Sequence, residues 1–245
     1  MATKKKKTIK DKPATAVPEF FKGPVQYHHV RPVNPLTHAQ KIFCSAYDSG
    51  QEAFVLHGVA GTGKTFLALY KGLQEVLSSS GSKRLVIMRS AVPSREIGYL
   101  PGSEEEKMSA YQVPYMDICS KLCNHPQAWE KLVAQEVVEF WSTSYIRGVT
   151  LDDAVIIVDE CQNMSDQELN SVMTRVGNRS KIMFCGDFRQ TDLTRKHDQS
   201  GLGDFMKTAA MMNEFKIIEF HIDDIVRSSL MKSYIIARLA LEDKK

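Results

Sequence analysis

A glycine-rich segment in the first third of the chain has the residue types and spacing that bind phosphate. Glycines let the backbone curl so that its N–H groups converge on phosphate oxygens, and the N-terminus of a following helix adds positive potential. Lys64 is expected to reach the β- and γ-phosphates, and Thr65 to offer its hydroxyl to Mg²⁺. The segment fits the pattern G-x-x-x-x-G-K-S/T and reads Gly58-Val59-Ala60-Gly61-Thr62-Gly63-Lys64-Thr65. It predicts a site for a nucleoside triphosphate with Mg²⁺.

A second candidate is the carboxylate pair Asp159 and Glu160, which directly follows the apolar run 155–158. The aspartate is expected to hold Mg²⁺ through water, and the glutamate to orient and deprotonate an attacking water molecule. Such a pair is often merely structural when it occurs alone. Here the phosphate-binding segment lies upstream in the same chain, which makes the assignment more specific. A glutamate at this place predicts hydrolysis rather than nucleotide binding alone.

Two glutamines are further candidates. Gln190 ends the segment 186–190 (GDFRQ), where a neutral amide can hydrogen-bond a γ-phosphate and the attacking water. The alternative for this segment is an ordinary polar turn. Gln40 lies on the first predicted helix, and its amide can pair with the donor and the acceptor on adenine. A glutamine on a helix is more often simply solvated, so the residue alone does not establish this role.

Short apolar strands alternate with helices around these candidates. Strands are predicted at 53–57, 84–88, 137–141, 155–158, 181–185 and 216–220. Helices are predicted at 38–49 (with Thr37 as N-cap), 66–77, 104–124, 126–135, 166–176, 201–213 and 228–241. Pro114 should interrupt or restart the helix at 104–124. The alternation predicts an α/β fold, with a mainly parallel sheet sandwiched between helices and ligands at the carboxyl ends of its strands.

Positive charge is concentrated at the N-terminus. Residues 1–12 hold six lysines and one aspartate, a net charge of +5, whereas the whole chain carries +3 and the remainder therefore −2. We expect a flexible basic tail over residues 1–25 and a single domain over residues 26–245. The tail is either a solubilising end or a tether to RNA or DNA phosphates.

Composition indicates a globular protein in a reducing compartment. Of the 245 residues, 43% are hydrophobic and 25% charged. The five cysteines are odd in number and scattered, which fits a reduced cytosolic protein better than a disulfide scaffold. The sequence contains no apolar stretch long enough to predict a membrane span, and none that predicts a secretory signal. We expect a cytoplasmic location and no membrane partner.

Together these motifs resemble the PhoH family, a branch of superfamily 1 helicase-like ATPases related to the RecD motor domain. The resemblance rests on the phosphate-binding segment, on 159–163 (DECQN) and on 186–190, with flanking stretches at 98–102 (GYLPG), 145–151 (YIRGVTL) and 224–227 (DIVR). It extends over about residues 33 to 240. Cys161 stands where alanine is usual, and Phe188-Arg189 replaces a more typical Pro-Ser pair. Neither departure changes an assigned catalytic group.

The resemblance implies a RecA-like P-loop domain that binds and hydrolyses ATP with Mg²⁺, and a role in handling RNA or single-stranded DNA, helicase- or translocase-like. It also implies a bacterial cytosol or that of a phage-infected host. Gln40 matches the adenine-reading glutamine of superfamily 1. Thr65 and Asp159 are expected at the metal, and Lys64, Glu160 and Gln190 are expected to act in catalysis. The residues expected around the nucleotide are Gln40, Gly58, Ala60, Gly61, Thr62, Gly63, Lys64, Thr65 and Phe66.

The resemblance also implies an arginine at the γ-phosphate, and a single domain does not account for it. Superfamily 1 helicases take it from a second RecA-like domain, for which 245 residues leave no room. We expect a neighbouring subunit of a homo-oligomeric, head-to-tail ring to provide it. Arg175 is the first choice, because it is predicted to end the helix after Glu160, at the sheet edge where ring ATPases place theirs. Arg227 is the second, acting within its own subunit. Either could equally be a surface or ion-pairing arginine.

Other functions stay open on the sequence. Arg89, Arg95 and Lys107 flank the segment after the second strand, where superfamily 1 proteins touch single strands, although a solvated charged loop explains them as well. An alternative function is an ATP-switched assembly or interaction protein without unwinding. A small-molecule kinase is a further alternative, which the Asp159-Glu160 pair and Gln190 disfavour.

Overall fold

A computed structural model describes residues 20–78, 84–90, 104–143, 146, 148–187 and 196–242. Several expectations fall outside this part of the chain: residues 1–19 of the basic tail, Arg95, the side chain of Lys107 and Gln190. Among the described residues, no helix combines the length and the apolar character needed to cross a membrane.

Strands and helices alternate along the chain much as the sequence predicts. The strands are β1 (Ala53–Gly58), β2 (Arg84–Arg89), β3 (Val138–Ser142), β4 (Ala154–Asp159), β5 (Lys181–Gly186) and β6 (Phe215–Phe220). The helices are α1 (His38–Asp48), α2 (Lys64–Leu77), α3 (Glu104–Cys123), α4 (Ala128–Ala134), α5 (Asp166–Met173), α6 (Lys196–Ala210) and α7 (Ser229–Glu242). Thr37 caps α1 as expected, because its hydroxyl accepts a hydrogen bond from the backbone N–H of Gln40.

The six strands form one parallel sheet in the order β3-β2-β4-β5-β1-β6. Side chains alternate between its two faces. On β4, Val155 and Ile157 join the core shared with α1 to α4, whereas Ile156 and Val158 join the core beneath α5 and α6. A strand covered on both faces needs apolar residues at every position, which explains its uninterrupted apolar sequence. The predicted α/β fold, with a parallel sheet sandwiched between helices, is confirmed.

The carboxyl ends of the central strands lie side by side. Arg89 at the end of β2 is in register with Asp159 at the end of β4, and Asp159 is in register with Cys185 on β5. On the other side of β5, Gly186 is in register with His57 on β1. The phosphate-binding segment and the carboxylate pair, which the sequence separates widely, therefore emerge at one edge of the sheet.

Helix α3 is continuous through Pro114, so the expected interruption is wrong. A proline inside a helix removes one backbone hydrogen bond and crowds the preceding turn. Packing offsets this cost: Tyr111, Tyr115, Cys119 and Leu122 recur at helical spacing along α3 and are buried. A local sequence rule is here overridden by an apolar face that must lie against the core.

Candidate active site

The phosphate-binding segment forms a tight turn between β1 and α2. Gly63 immediately precedes α2 in the left-handed region, with φ of 86°, where glycine is favoured because it has no Cβ. The buried Thr62 donates its hydroxyl to the carbonyl of Val59 at 3.0 Å and so holds the turn closed. The N-terminal N–H groups of α2 then face the space above the turn, which is the geometry of an anion site.

Lys64 folds back over this turn. Its Nζ donates to the carbonyls of Gly58 at 2.8 Å and of Val59 at 2.9 Å. Burial lowers the pKa of the ammonium, and the largest opposing influence is the carboxylate of Asp187. The Nζ also donates to the hydroxyl of Thr62 at 3.4 Å. A partly desolvated cation held by these neutral acceptors is a strong attractor for phosphate, because a charged acceptor forms the stronger hydrogen bond.

Asp159 lies at the end of β4 with both carboxylate oxygens engaged. The hydroxyl of Thr65 donates to Oδ1 at 2.7 Å, and that of Tyr115 donates to Oδ2 at 2.8 Å. Burial raises the pKa of this carboxyl and the adjacent Glu160 raises it further, whereas the two hydroxyl donors lower it. Thr65 and Asp159 thus form a pair of hard oxygen donors beside the phosphate-binding turn, a donor set that suits Mg²⁺.

Glu160 adopts a left-handed backbone conformation, with φ of 52° and ψ of 40°, which costs energy in a residue that carries a Cβ. This turn directs its carboxylate into the cavity above the sheet. The amide nitrogen of Gln162 donates to its Oε2, while Oε1 of Gln162 accepts from the backbone N–H of Asp187 at 3.1 Å. Gln162 therefore connects the carboxylate motif after β4 with the segment after β5.

Gln40 is almost completely buried and both ends of its amide are engaged. Its Nε2 donates to the carbonyl of Thr62 at 2.8 Å, and its Oε1 accepts from the backbone N–H of Leu36 at 2.8 Å. The amide retains one further hydrogen and one further lone pair for a base. In this structure Gln40 fastens the segment before α1 to the phosphate-binding turn.

A cavity of about 560 Å³ opens above these residues. Most of the predicted nucleotide-binding set lines it, from Gln40 and Ala60 through Phe66 together with Asp159 and Glu160, but Gly58 does not. Two walls were not predicted. They consist of Val33, Asn34 and Leu36 before α1, and of Pro114, Asp117, Ile118 and Lys121 on α3. No motif marks these residues, because they line the cavity only once α3 and the segment before α1 have packed around it.

The arginine candidates occupy different places. Arg227 lines the cavity and its Cγ lies close above Gly61 of the same chain. Arg175 is two residues beyond the end of α5, and its carbonyl accepts from the N–H of Leu151 at 2.8 Å. Because Leu151 precedes the amino-terminal end of β4, Arg175 lies at the sheet edge opposite the cavity. The structure does not bring Arg175 to the site of its own chain.

Arg89 also lines the cavity, where its guanidinium lies 5.2 Å from the ring centre of Tyr111. The Arg89 side chain is half-buried, and its position at the end of β2 is in register with Asp159.

Comparison with known proteins agrees with these motifs. A family profile described as "PhoH-like protein" matches residues 32–238. A PhoH-like protein of Mycobacterium leprae (strain TN) is 34% identical over 212 residues, which are 86% of this chain and 60% of that protein. A PhoH-like protein of Bacillus subtilis (strain 168) is 35% identical over 181 residues, which are 74% and 56% of the respective chains. The chain spans less than two thirds of the length of these relatives.

Among solved structures, the Pif1 helicase from Candida albicans aligns with 77% of this chain and 41% of its own, with 18% identity and a TM-score of 0.37. This likeness is too low to bear on function.

Proposed function

The chain belongs to the PhoH-like family, and on that premise we propose that it is a Mg²⁺-dependent ATPase coupled to RNA or single-stranded DNA. The observation that carries the ATPase is the convergence of Lys64, Thr65, Asp159 and Glu160 on one cavity beside a helix N-terminus. Each side chain has the chemistry that phosphoryl transfer to water requires.

Hydrolysis would use these groups in a defined division of labour. Lys64 and the N–H groups of the turn bind the β- and γ-phosphates, and Thr65 with Asp159 would hold Mg²⁺, which neutralises phosphate charge when bound. Glu160 accepts a proton from water as the water oxygen bonds to the γ-phosphorus. The bond to the β,γ-bridging oxygen breaks, and ADP and inorganic phosphate leave. Gln190, by its sequence position, would hydrogen-bond the γ-phosphate and so distinguish ATP from ADP.

Coupling to nucleic acid is supported by the sequence resemblance and by the net charge of +5 on residues 1–12. We expect single-stranded RNA or DNA to raise steady-state ATP turnover severalfold. The stimulation should fall as salt rises from low to physiological concentration, because cations that neutralise phosphates release counterions. Turnover is measured by phosphate release with poly(U), oligo(dT) and no polymer.

A chain in which the six lysines of residues 1–12 are replaced by glutamine is the matched control. It should keep basal turnover and lose affinity for the polymer if the tail is a tether. Turnover that is robust but indifferent to either polymer would contradict the coupling. It would favour the alternative of an ATP-switched assembly protein.

We propose that the arginine at the γ-phosphate comes from a neighbouring subunit in a ring of identical chains. Since Arg175 lies at the edge opposite its own cavity, it could reach a γ-phosphate only in a neighbouring, head-to-tail subunit. Arg227, next to the turn of its own chain, would act within the subunit. We expect light scattering coupled to gel filtration to give an oligomer in the presence of ATP. A monomer that hydrolyses ATP at an undiminished rate at every concentration would rule out Arg175.

A further inference from the structure

Asp159 is held by two hydroxyl donors that approach from different elements. Thr65 on α2 donates to Oδ1, and Tyr115 on α3, 44 residues earlier in the sequence, donates to Oδ2. Thr65 belongs to the magnesium site that the motif predicts, whereas Tyr115 belongs to no motif. We propose that Tyr115 is a positioning residue for this metal site, whose hydroxyl fixes the Asp159 carboxylate in the orientation that faces Thr65. The inference rests on the proposed function, since it concerns the same site.

The ring of Tyr115 is immobilised by the core. It is fully buried, and its centre lies 6.2 Å from that of Trp129 on α4 and 5.6 Å from that of Phe140 on β3. Aromatic packing on both partners fixes the direction in which the hydroxyl points. The hydrogen bond to Asp159 therefore requires little additional ordering when the site binds its ligands.

The single hydrogen of the Tyr115 hydroxyl is directed to Asp159 at 2.8 Å, because an ionised carboxylate has acceptors only. Arg89, at the end of the neighbouring strand β2, is in register with Asp159 and lines the cavity. Tyr115 on α3 and Arg89 on β2 therefore lie next to the same carboxylate and belong to different elements.

Losing this donor should affect the metal and leave the remaining contacts of the nucleotide intact. Asp159 is only 6% exposed, so a carboxylate freed on one side has little water to replace the hydrogen bond and can rotate away from Thr65. Hydrogen-bond partners behind a metal ligand typically contribute about 10- to 100-fold to metal affinity. The turn, Lys64 and the cavity walls do not depend on the hydroxyl.

The test is Tyr115→Phe, which removes the hydroxyl and keeps the packed ring. ADP affinity is measured by calorimetry with Mg²⁺ and again in EDTA, and Mn²⁺ binding to the ADP complex by electron paramagnetic resonance. We expect metal affinity to fall about tenfold or more, with ADP affinity in EDTA unchanged. Tyr47→Phe is the matched control, because it removes another buried tyrosine–carboxylate hydrogen bond, to Glu75 at 2.6 Å, away from the cavity. It should leave the metal dependence as in wild type.

A double-mutant cycle with Asp159→Asn separates positioning from a loss of fold. Once Asp159 no longer carries a carboxylate, removing the hydroxyl should change metal affinity by less than twofold. The inference is overturned if Tyr115→Phe binds Mg²⁺ as wild type does, or if its effect persists in full with Asp159→Asn. Wild-type protein whose ADP affinity ignores Mg²⁺ would instead overturn the proposed function itself, and the inference with it.

Discussion

Replacing Glu160 by glutamine is expected to lower the rate of ATP hydrolysis by about a thousandfold, within the range for loss of a general base. The substitution keeps the shape of the side chain and removes its ability to take a proton from water. ATP binding should change little, because Lys64, Thr65 and Asp159 supply the phosphate and metal contacts in the function that we propose. Single-turnover quench experiments measure the chemical step, and fluorescence titration with an ATP analogue measures binding.

The hydrogen bond between Gln162 and Glu160 should survive in this variant, so the substitution tests proton transfer alone. Gln162 donates to the Glu160 carboxylate, and a glutamine amide at the same place still offers an oxygen to accept that hydrogen bond. Glu130→Gln on the exposed side of α4 is the isosteric control and should hydrolyse ATP at the wild-type rate. A Glu160→Gln variant that retains most of its turnover would show that another group activates the water.

Replacing Gly58 by alanine should lower the free energy of unfolding by about 4 kcal/mol or more, among the largest effects of single substitutions. A Cβ at Gly58 would lie 2.1 Å from the carbonyl oxygen of Phe220 and 2.9 Å from its backbone nitrogen. Phe220 ends β6, which is paired with β1 along its length, so its backbone atoms cannot move aside as a flexible side chain does. That carbonyl also accepts from the N–H of Val59 at 3.0 Å, so separating the strands breaks a hydrogen bond.

Gly50→Ala provides the matched control for this second prediction. Both glycines have positive φ, 116° at Gly58 and 94° at Gly50, but no atom lies within 4 Å of a Cβ built at Gly50. Gly50→Ala should therefore lower the free energy of unfolding only by the conformational cost of a positive φ, about 1–3 kcal/mol. The difference in free energy of unfolding between the two variants then gives the contribution of the collision with Phe220. Urea denaturation followed by circular dichroism gives both values. Equal destabilisation of the two variants would contradict the argument.

Gly58 also shows that one member of a motif can have a structural reason that the motif itself does not reveal. The sequence predicts the glycine as part of the nucleotide-binding set. In the structure it does not line the cavity, and the close approach of β6 at Phe220 accounts for the absence of a side chain. The pattern of the motif contains the glycine but holds no information on the strand that packs against it.

The sequence alone determined the family, the alternating α/β pattern and the residues that we propose to bind phosphate, because these depend on spacing within short segments. The α2 N-terminus follows β1 after a short turn, and Asp159 ends an apolar strand that Glu160 directly follows, so their chemistry is encoded locally. Tertiary structure decided what lies between distant segments: the hydroxyl of Tyr115 on Asp159, the continuity of α3 through Pro114 and the position of Arg175 at the far edge. Such contacts arise from packing of a shared core, and no spacing along the chain specifies them.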